Sequence, residues 1–193
     1  MSTPPAGPPR TIYLIRHGEK PDPHSPDPAT GVEIDGEHNS HSLTPRGWQR
    51  SGALAILFTR PPRPGDSALT VPDRLICPDY GDRSDAAIHR PHQTLLGLSG
   101  MTSQPIETPY HETHEAELAA AVLADNAQTV LICWEHGRIP AIAAAIPTTT
   151  PVPTSWPDHR FDLIWQFTLA DQATRTYTFR QLPQNALRGD AAP

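Results

Sequence analysis

The chain has 193 residues, a formal net charge of −6 and 19% charged residues, which is the size and composition of a globular protein. The negative charge argues against a general nucleic-acid binder, because such proteins need a basic surface that releases counterions. No apolar run approaches the roughly 20 residues that cross a bilayer, and residues 1–10 lack the apolar core of a signal peptide. We therefore expect one cytoplasmic domain over residues 1–193, with residues 1–10 and 186–193 flexible and no nucleic-acid or membrane partner.

In the first third of the chain, the pattern predicts a strand, a long loop and a helix. Residues 11–15 form an apolar run rich in β-branched and aromatic side chains, which is typical of a buried strand. The polar stretch 18–42 has no periodicity and predicts a long loop of the kind that often carries function. Thr44 and Pro45 then predict a helix N-cap and first helical position, with the helix continuing to about residue 59.

The remaining elements continue this alternation. They are predicted, in chain order, as a strand over 74–77, helices over 91–98 and 113–124, a strand over 129–134, a helix over 139–146 and a hairpin with strands over 161–169 and 176–182. Alternating strands and helices favour an α/β fold, here a three-layer α/β/α sandwich. We expect a mostly parallel central sheet with an antiparallel edge strand and a C-terminal hairpin. Ligand sites in such sheets lie beyond the carboxyl ends of the strands.

Two predicted strands end close to a histidine. His17 follows the first strand and His136 follows the strand over 129–134, and each is succeeded by a glycine that lets the backbone approach a ligand closely. If the two strands are parallel neighbours, both imidazoles emerge at the same edge of the sheet. Arg90, at the start of the helix that follows the strand over 74–77, is expected at this edge too.

These residues resemble the histidine phosphatase superfamily, which has the phosphoglycerate-mutase-like fold. The resemblance covers roughly residues 11–146 and rests on motifs in the family's order, namely Arg16, His17 and Gly18, then Leu43, Thr44, Pro45, Arg46 and Gly47, then Arg90, Gln93 and Thr94, and finally His136 and Gly137. It implies that His17 attacks phosphorus and becomes phosphohistidine. It also implies that both arginines grip the phosphoryl oxygens and that His136 donates to one of them.

The resemblance leaves the proton donor to the leaving group open. In this superfamily a carboxylate commonly lies some way after the central arginine, and Glu115 is the residue we favour, with Glu112 and Glu117 as alternatives. Acids in a first helical turn also stabilise the helix dipole without any catalytic role. Four further residues are expected to line the substrate site, and these are Glu19, His92, Glu135 and Gly137. We expect no cofactor and no metal, since the chain has no HxH or HExxH spacing.

The chain departs from the family's mutases after Glu19. Cofactor-dependent phosphoglycerate mutases carry Ser and Asn there, whereas this chain continues with Lys20, Pro21 and Asp22, so we do not expect mutase activity. We favour hydrolysis of a small-molecule phosphomonoester. The alternatives are a phosphoprotein or phosphohistidine phosphatase and a catalytically weak phosphate-binding scaffold. The 18–42 loop and the segment from Pro147 onward are expected to frame the pocket and set the substrate.

Overall fold

A computed structural model describes residues 7–24, 29–61, 69–81 and 89–190. Within these residues, strands and helices follow one another as β1 (Thr11–Arg16), α1 (Pro45–Thr59), β2 (Arg74–Ile76), α2 (Arg90–Thr102), β3 (Ile106–Glu107), α3 (Glu115–Leu123), β4 (Thr129–Trp134), α4 (Ile139–Ala144), β5 (Leu163–Asp171) and β6 (Thr176–Pro183). No helix in this part of the chain is long and apolar enough to cross a membrane.

All the described strands belong to one mixed sheet with the order β3-β2-β4-β1-β5-β6. The first four of these pair in parallel, whereas β5 pairs antiparallel with β1, and β6 antiparallel with β5. This confirms the α/β fold with a mostly parallel sheet and a C-terminal hairpin. The antiparallel edge strand of the prediction is β6, which the hairpin folds onto the outer side of β5.

Helices cover both faces of the sheet, and the alternation of side chains along β1 explains why. Ile12 and Leu14 join a core with α3 and α4, whereas Tyr13 and Ile15 pack with α1 and α2 on the opposite face. All four side chains are fully buried, as expected for a central strand of a parallel sheet. The three-layer sandwich follows from this burial on both sides.

Most element boundaries agree with the sequence, and the differences are local. The hydroxyl of Thr44 accepts a hydrogen bond from the amide of Gly47, which confirms the predicted N-cap of α1. The two-residue strand β3 was not predicted, because so short a run carries no periodicity. α2 extends to Thr102, and β5 starts at Leu163, which leaves Phe161 in the preceding loop. Parts of the predicted loops and termini lie outside the described residues, namely 1–6, 25–28, 62–68, 82–88 and 191–193.

Candidate active site

The sheet brings the two predicted histidines to one edge. β1 and β4 pair in parallel with Arg16 opposite Trp134, and the amide of His17 donates to the carbonyl oxygen of Trp134 at 3.3 Å. His17 and His136 therefore leave neighbouring strands at the same carboxyl end. Arg90 begins α2, and the strand before α2, β2, is parallel to β4. The motifs around His17, Arg90 and His136 thus lie at the same edge of the sheet, as expected from the sequence.

The imidazole of His17 is held as a neutral ring of defined tautomer. It is only 3% exposed, and its Nδ1 lies 2.7 Å from the carbonyl oxygen of Gly18. Because a carbonyl only accepts, Nδ1 carries the hydrogen and Nε2 keeps its lone pair. Burial lowers the pKa of His17 to about 3; the Gly18 hydrogen bond opposes this shift, and the charges of Arg16 and Arg90 add to it. His17 is therefore neutral at pH 7, as a nucleophile must be.

The hydroxyl of Thr94 connects the His17 loop to α2. The amide of Gly18 donates to Thr94 Oγ1 at 2.8 Å, and the same hydroxyl donates to the carbonyl oxygen of Arg90 at 2.7 Å. Thr94 is fully buried, so both bonds are shielded from water. One side chain thereby fixes the backbone beside His17 relative to the helix that presents Arg90.

The guanidinium of Arg16 lies against the segment that precedes β5. Its central carbon is 3.7 Å from the centroid of the Phe161 ring, and it donates to the carbonyl oxygens of Asp158 and Arg160. Burial lowers the pKa of Arg16 to about 10, against the opposing charge of Asp158. Arg16 is still protonated at pH 7 and supplies a fixed positive charge next to His17.

Arg90 has a partly anionic environment. Its Nη2 donates to the carbonyl oxygen of Ser40 at 3.1 Å. Burial lowers the pKa of Arg90, and the charge of Glu135 raises it. Glu135 also accepts a long hydrogen bond, 3.4 Å, from the hydroxyl of Tyr80. This placement makes Glu135 a neighbour of Arg90, in keeping with its predicted position at the site.

His136 faces both the cationic site and an acidic side chain. Its Nε2 lies 3.3 Å from Oδ1 of Asp158. Burial lowers the pKa of His136 and the charge of Arg16 lowers it further, while Asp158 raises it. The carboxylate of Asp158 is 92% exposed, so it meets His136 from the solvent side.

Three nitrogen atoms of the site find no hydrogen-bond partner among the described residues. They are Nε of Arg16, Nε of Arg90 and Nδ1 of His136, and all three are buried. Buried polar atoms nearly always have a hydrogen-bond partner, so three nitrogen atoms without one at a single sheet edge call for an explanation. An anion with several oxygens fits this environment, since both guanidinium groups carry positive charge and only donate hydrogen bonds.

Comparisons with known proteins agree with this geometry at the level of the fold. No protein-family model and no curated protein matches the sequence. The crystal structure of the α-ribazole phosphatase from Shigella flexneri superposes with a TM-score of 0.51 over 95% of this chain and 99% of that one, at 17% sequence identity. The chain has the phosphoglycerate-mutase-like fold.

Two further solved structures match over similar lengths. A candidate α-ribazole-5′-P phosphatase from Escherichia coli covers 96% of this chain and 100% of its own, with 16% identity and a TM-score of 0.49. The candidate phosphohistidine phosphatase SixA from Agrobacterium tumefaciens covers 95% of this chain and 99% of its own, with 13% identity and a TM-score of 0.47.

In this chain, the phosphoglycerate-mutase-like fold carries a cavity of about 580 Å³ beside Arg16. Both segments that we expected to frame the pocket contribute to it, the loop after His17 and the segment before β5. Its walls include Lys20, Pro21, His24, Ala29, Asp158 and Phe161. The charge of Lys20 also lowers the pKa of both His17 and His136, after the effects of burial and of the arginines. A charged side chain of the cavity wall therefore acts on both His17 and His136.

Glu19 is tied into a cluster of charged side chains. Its carboxylate accepts hydrogen bonds from Arg50 at 2.7 Å and from Arg46 at 3.1 Å. Arg50, 2% exposed, donates on its other side to Asp190 at 2.8 Å and to Gln184 at 2.7 Å. The Asp190 carboxylate links residues 186–190 to α1, and their expected flexibility stays a prediction. The predicted substrate contact of Glu19 stays a prediction, and the structure assigns that residue a role in holding the loop.

The other predicted residues lie at varying distances from the centre. Glu115 accepts a hydrogen bond from Arg138 at 2.8 Å, and no contact joins it to His17 or His136 in the described structure. His92 is exposed on α2 beside a smaller cavity of about 140 Å³, and Gly137 is exposed after His136. Of the alternatives to Glu115, Glu117 is exposed on α3, and the carbonyl oxygen of Glu112 accepts from the Trp134 indole at 3.3 Å.

Two residues at the site were not predicted from the sequence. Asp158 and Phe161 belong to a loop without periodicity, and Phe161 was assigned to a strand. No motif distinguishes them, and only the folding of this loop onto Arg16 and His136 reveals them. Within the described ranges, no group of three or more histidine, cysteine, aspartate or glutamate side chains is arranged to hold a metal ion.

Proposed function

We propose that this protein is a histidine-dependent phosphatase that hydrolyses a small-molecule phosphomonoester through a phosphohistidine on His17. The observation that supports this most strongly is the state of His17, a buried neutral imidazole whose Nδ1 is bound to Gly18 and whose Nε2 is left for attack. Its neighbours Arg16 and Arg90 carry the positive charge that a phosphoryl group requires.

The reaction has two steps. Nε2 of His17 attacks phosphorus, the phosphorus–oxygen bond to the leaving group breaks, and a phosphohistidine forms. Arg16, Arg90 and His136 donate to the non-bridging oxygens, where negative charge is shared in the transition state. Water then attacks the phosphohistidine, breaks the phosphorus–nitrogen bond and releases inorganic phosphate. The three unpaired nitrogen atoms at this edge are the groups that we expect to contact those oxygens.

The cavity beside Arg16 supports a small-molecule substrate. A volume of about 580 Å³ lies within the range of small-molecule sites, and its walls combine the rings of two prolines and Phe161 with charged and polar side chains. α-Ribazole 5′-phosphate is a suitable member of a substrate panel, because the structural neighbours include phosphatases of that name. A phosphoprotein or phosphohistidine substrate is the alternative, and a phosphate-binding scaffold is the non-enzymatic alternative.

The proposal is tested by turnover of p-nitrophenyl phosphate and of a panel of small phosphomonoesters. We compare the parent protein with His17→Ala and with His114→Ala, which replaces an exposed histidine at the start of α3. The parent and His114→Ala should release phosphate at similar rates, and His17→Ala should not. Phosphate binding without turnover by the parent would support the scaffold. Turnover of a phosphohistidine-bearing protein in preference to every small ester would support the alternative enzyme.

A further inference from the structure

Asp158 meets the site through two separate contacts. Its backbone carbonyl oxygen accepts from the guanidinium of Arg16, and its carboxylate lies 3.3 Å from Nε2 of His136. The contact with Arg16 holds the backbone of Asp158 at the site. The contact with His136 places the carboxylate next to a side chain that we propose as a hydrogen-bond donor to the phosphoryl oxygens. The same side chain lines the 580 Å³ cavity. Asp158 therefore lies between the phosphate-binding groups and the space available to the leaving group.

We propose that Asp158 is the proton donor to the leaving group. This inference rests on the proposed function, because a proton donor has a role only if phosphoryl transfer to His17 takes place. It names a residue that no motif in the sequence indicates, on a loop that folds back over the ends of β1 and β4.

Three other acidic side chains near the site have charged or polar partners of their own. Glu115 is paired with Arg138, and Glu19 is paired with two arginines in the cluster on α1. Glu135 accepts from the hydroxyl of Tyr80 and lies in the field of Arg90, and it is not among the residues that line the cavity. Asp158 differs from Glu115 and Glu135, which do not line the cavity, and from Glu19, which lines it but is held by Arg46 and Arg50.

The proposed step balances in protons and electrons. As Nε2 of His17 bonds to phosphorus, the bridging phosphorus–oxygen bond breaks and its electron pair takes the proton of the Asp158 carboxyl group. The leaving group departs as a neutral alcohol and Asp158 becomes a carboxylate. In the second step this carboxylate accepts a proton from the water that attacks phosphorus, the phosphorus–nitrogen bond breaks, and both His17 and the acid are restored.

Substrate binding itself favours the protonated acid. In the unliganded site the carboxylate of Asp158 lies 3.3 Å from the imidazole of His136, and its charge acts on the guanidinium of Arg16. A phosphoryl dianion bound by Arg16 adds negative charge next to the carboxylate. Neighbouring negative charges favour protonation of one of the two groups, so the bound ester supplies the condition under which Asp158 can donate a proton.

The test is the dependence of rate on the leaving group in Asp158→Asn. Asparagine keeps the size of the side chain but cannot donate a proton of carboxylic acidity. We expect kcat/KM for an alkyl phosphate, whose leaving alcohol needs a proton, to fall by roughly 100-fold or more. For p-nitrophenyl phosphate, whose leaving group departs as an anion, the change should be much smaller. Asp171→Asn is the matched control, since this exposed aspartate lies in the β5–β6 hairpin at the opposite end of the sheet.

Each other outcome overturns the proposal. Equal losses of kcat/KM on both esters would indicate that Asp158 positions His136. A lower KM with unchanged kcat would indicate that its carboxylate competes with the phosphate of the substrate for the site. The same selective loss in Glu115→Gln but not in Asp158→Asn would assign the proton donor to Glu115. Absence of turnover by the parent on any ester would instead contradict the proposed function, so the two failures are distinguishable.

Discussion

Gly18 and Gly47 pack against each other with no room for a side chain on either. A Cβ on Gly18 would lie 2.9 Å from the carbonyl oxygen of Gly47, and a Cβ on Gly47 would lie 2.5 Å from the carbonyl oxygen of Glu19. Both obstacles are backbone atoms, which cannot rotate away. The first turn of α1 is therefore built directly against the loop that carries His17, and we expect the position of His17, the proposed nucleophile, to depend on this contact.

Gly47→Ala should displace that loop. Forced overpacking of this kind costs about 1–3 kcal/mol of stability, and misplacement of the nucleophile by about 1 Å lowers kcat/KM by about 100-fold. The control is Gly52→Ala in the same helix, where the new methyl group meets no atom within 4 Å apart from the adjoining helix backbone. That variant should gain about 0.5–1 kcal/mol in helix stability and keep the parent's turnover. Parent-like activity of folded Gly47→Ala would show that this contact does not position His17.

The sequence predicts the frame of this protein better than its polar contacts. Strands β1 and β4 and the start of α1 follow from apolar runs and from a cap whose signals lie within a few residues. Glycine and proline patterns, however, do not say that Arg50 pairs with Asp190, because 140 residues separate the partners. The position of Asp158 at the site could not be predicted from the sequence for the same reason, since its loop has no periodicity and contacts Arg16 only in the folded protein. Long-range pairing of charges is a property of the tertiary structure.

Arg50 and Arg46 allow a matched test of the charged cluster. Arg50→Met leaves the carboxylates of Glu19 and Asp190 without their buried partner, and loss of one member of a buried ion pair typically costs about 3–5 kcal/mol. Arg46 contacts the same two carboxylates, but its side chain is 42% exposed, so Arg46→Met should cost less than about 1 kcal/mol. Urea unfolding of both variants measures the difference. Equal costs would mean that the buried bonds of Arg50 contribute no more than an exposed pair.

Stability should depend on pH through His17. Burial lowers its pKa to about 3 in the folded protein, whereas a histidine in the unfolded chain titrates near 6.5. Below about pH 6.5 the unfolded chain binds a proton at this histidine that the folded protein does not bind, so the free energy of unfolding decreases as the pH falls toward 3. Between pH 7.5 and pH 5 the free energy of unfolding should decrease by roughly 2 kcal/mol through His17, and His17→Asn should lack this contribution. Urea unfolding at both pH values, with His114→Asn as the control that retains the parent's dependence, measures it. An identical loss in His17→Asn would contradict the neutral burial of His17.

The most direct test of the central claim is chemical trapping of the phosphorylated protein. Parent protein mixed rapidly with p-nitrophenyl phosphate and quenched in alkali should carry an acid-labile phosphoryl group, and peptide mass spectrometry should locate it at His17. His17→Ala should carry none and should not turn over the ester. A phosphoryl group on another residue, or turnover by His17→Ala equal to that of the parent, would contradict the assignment of His17 as the nucleophile.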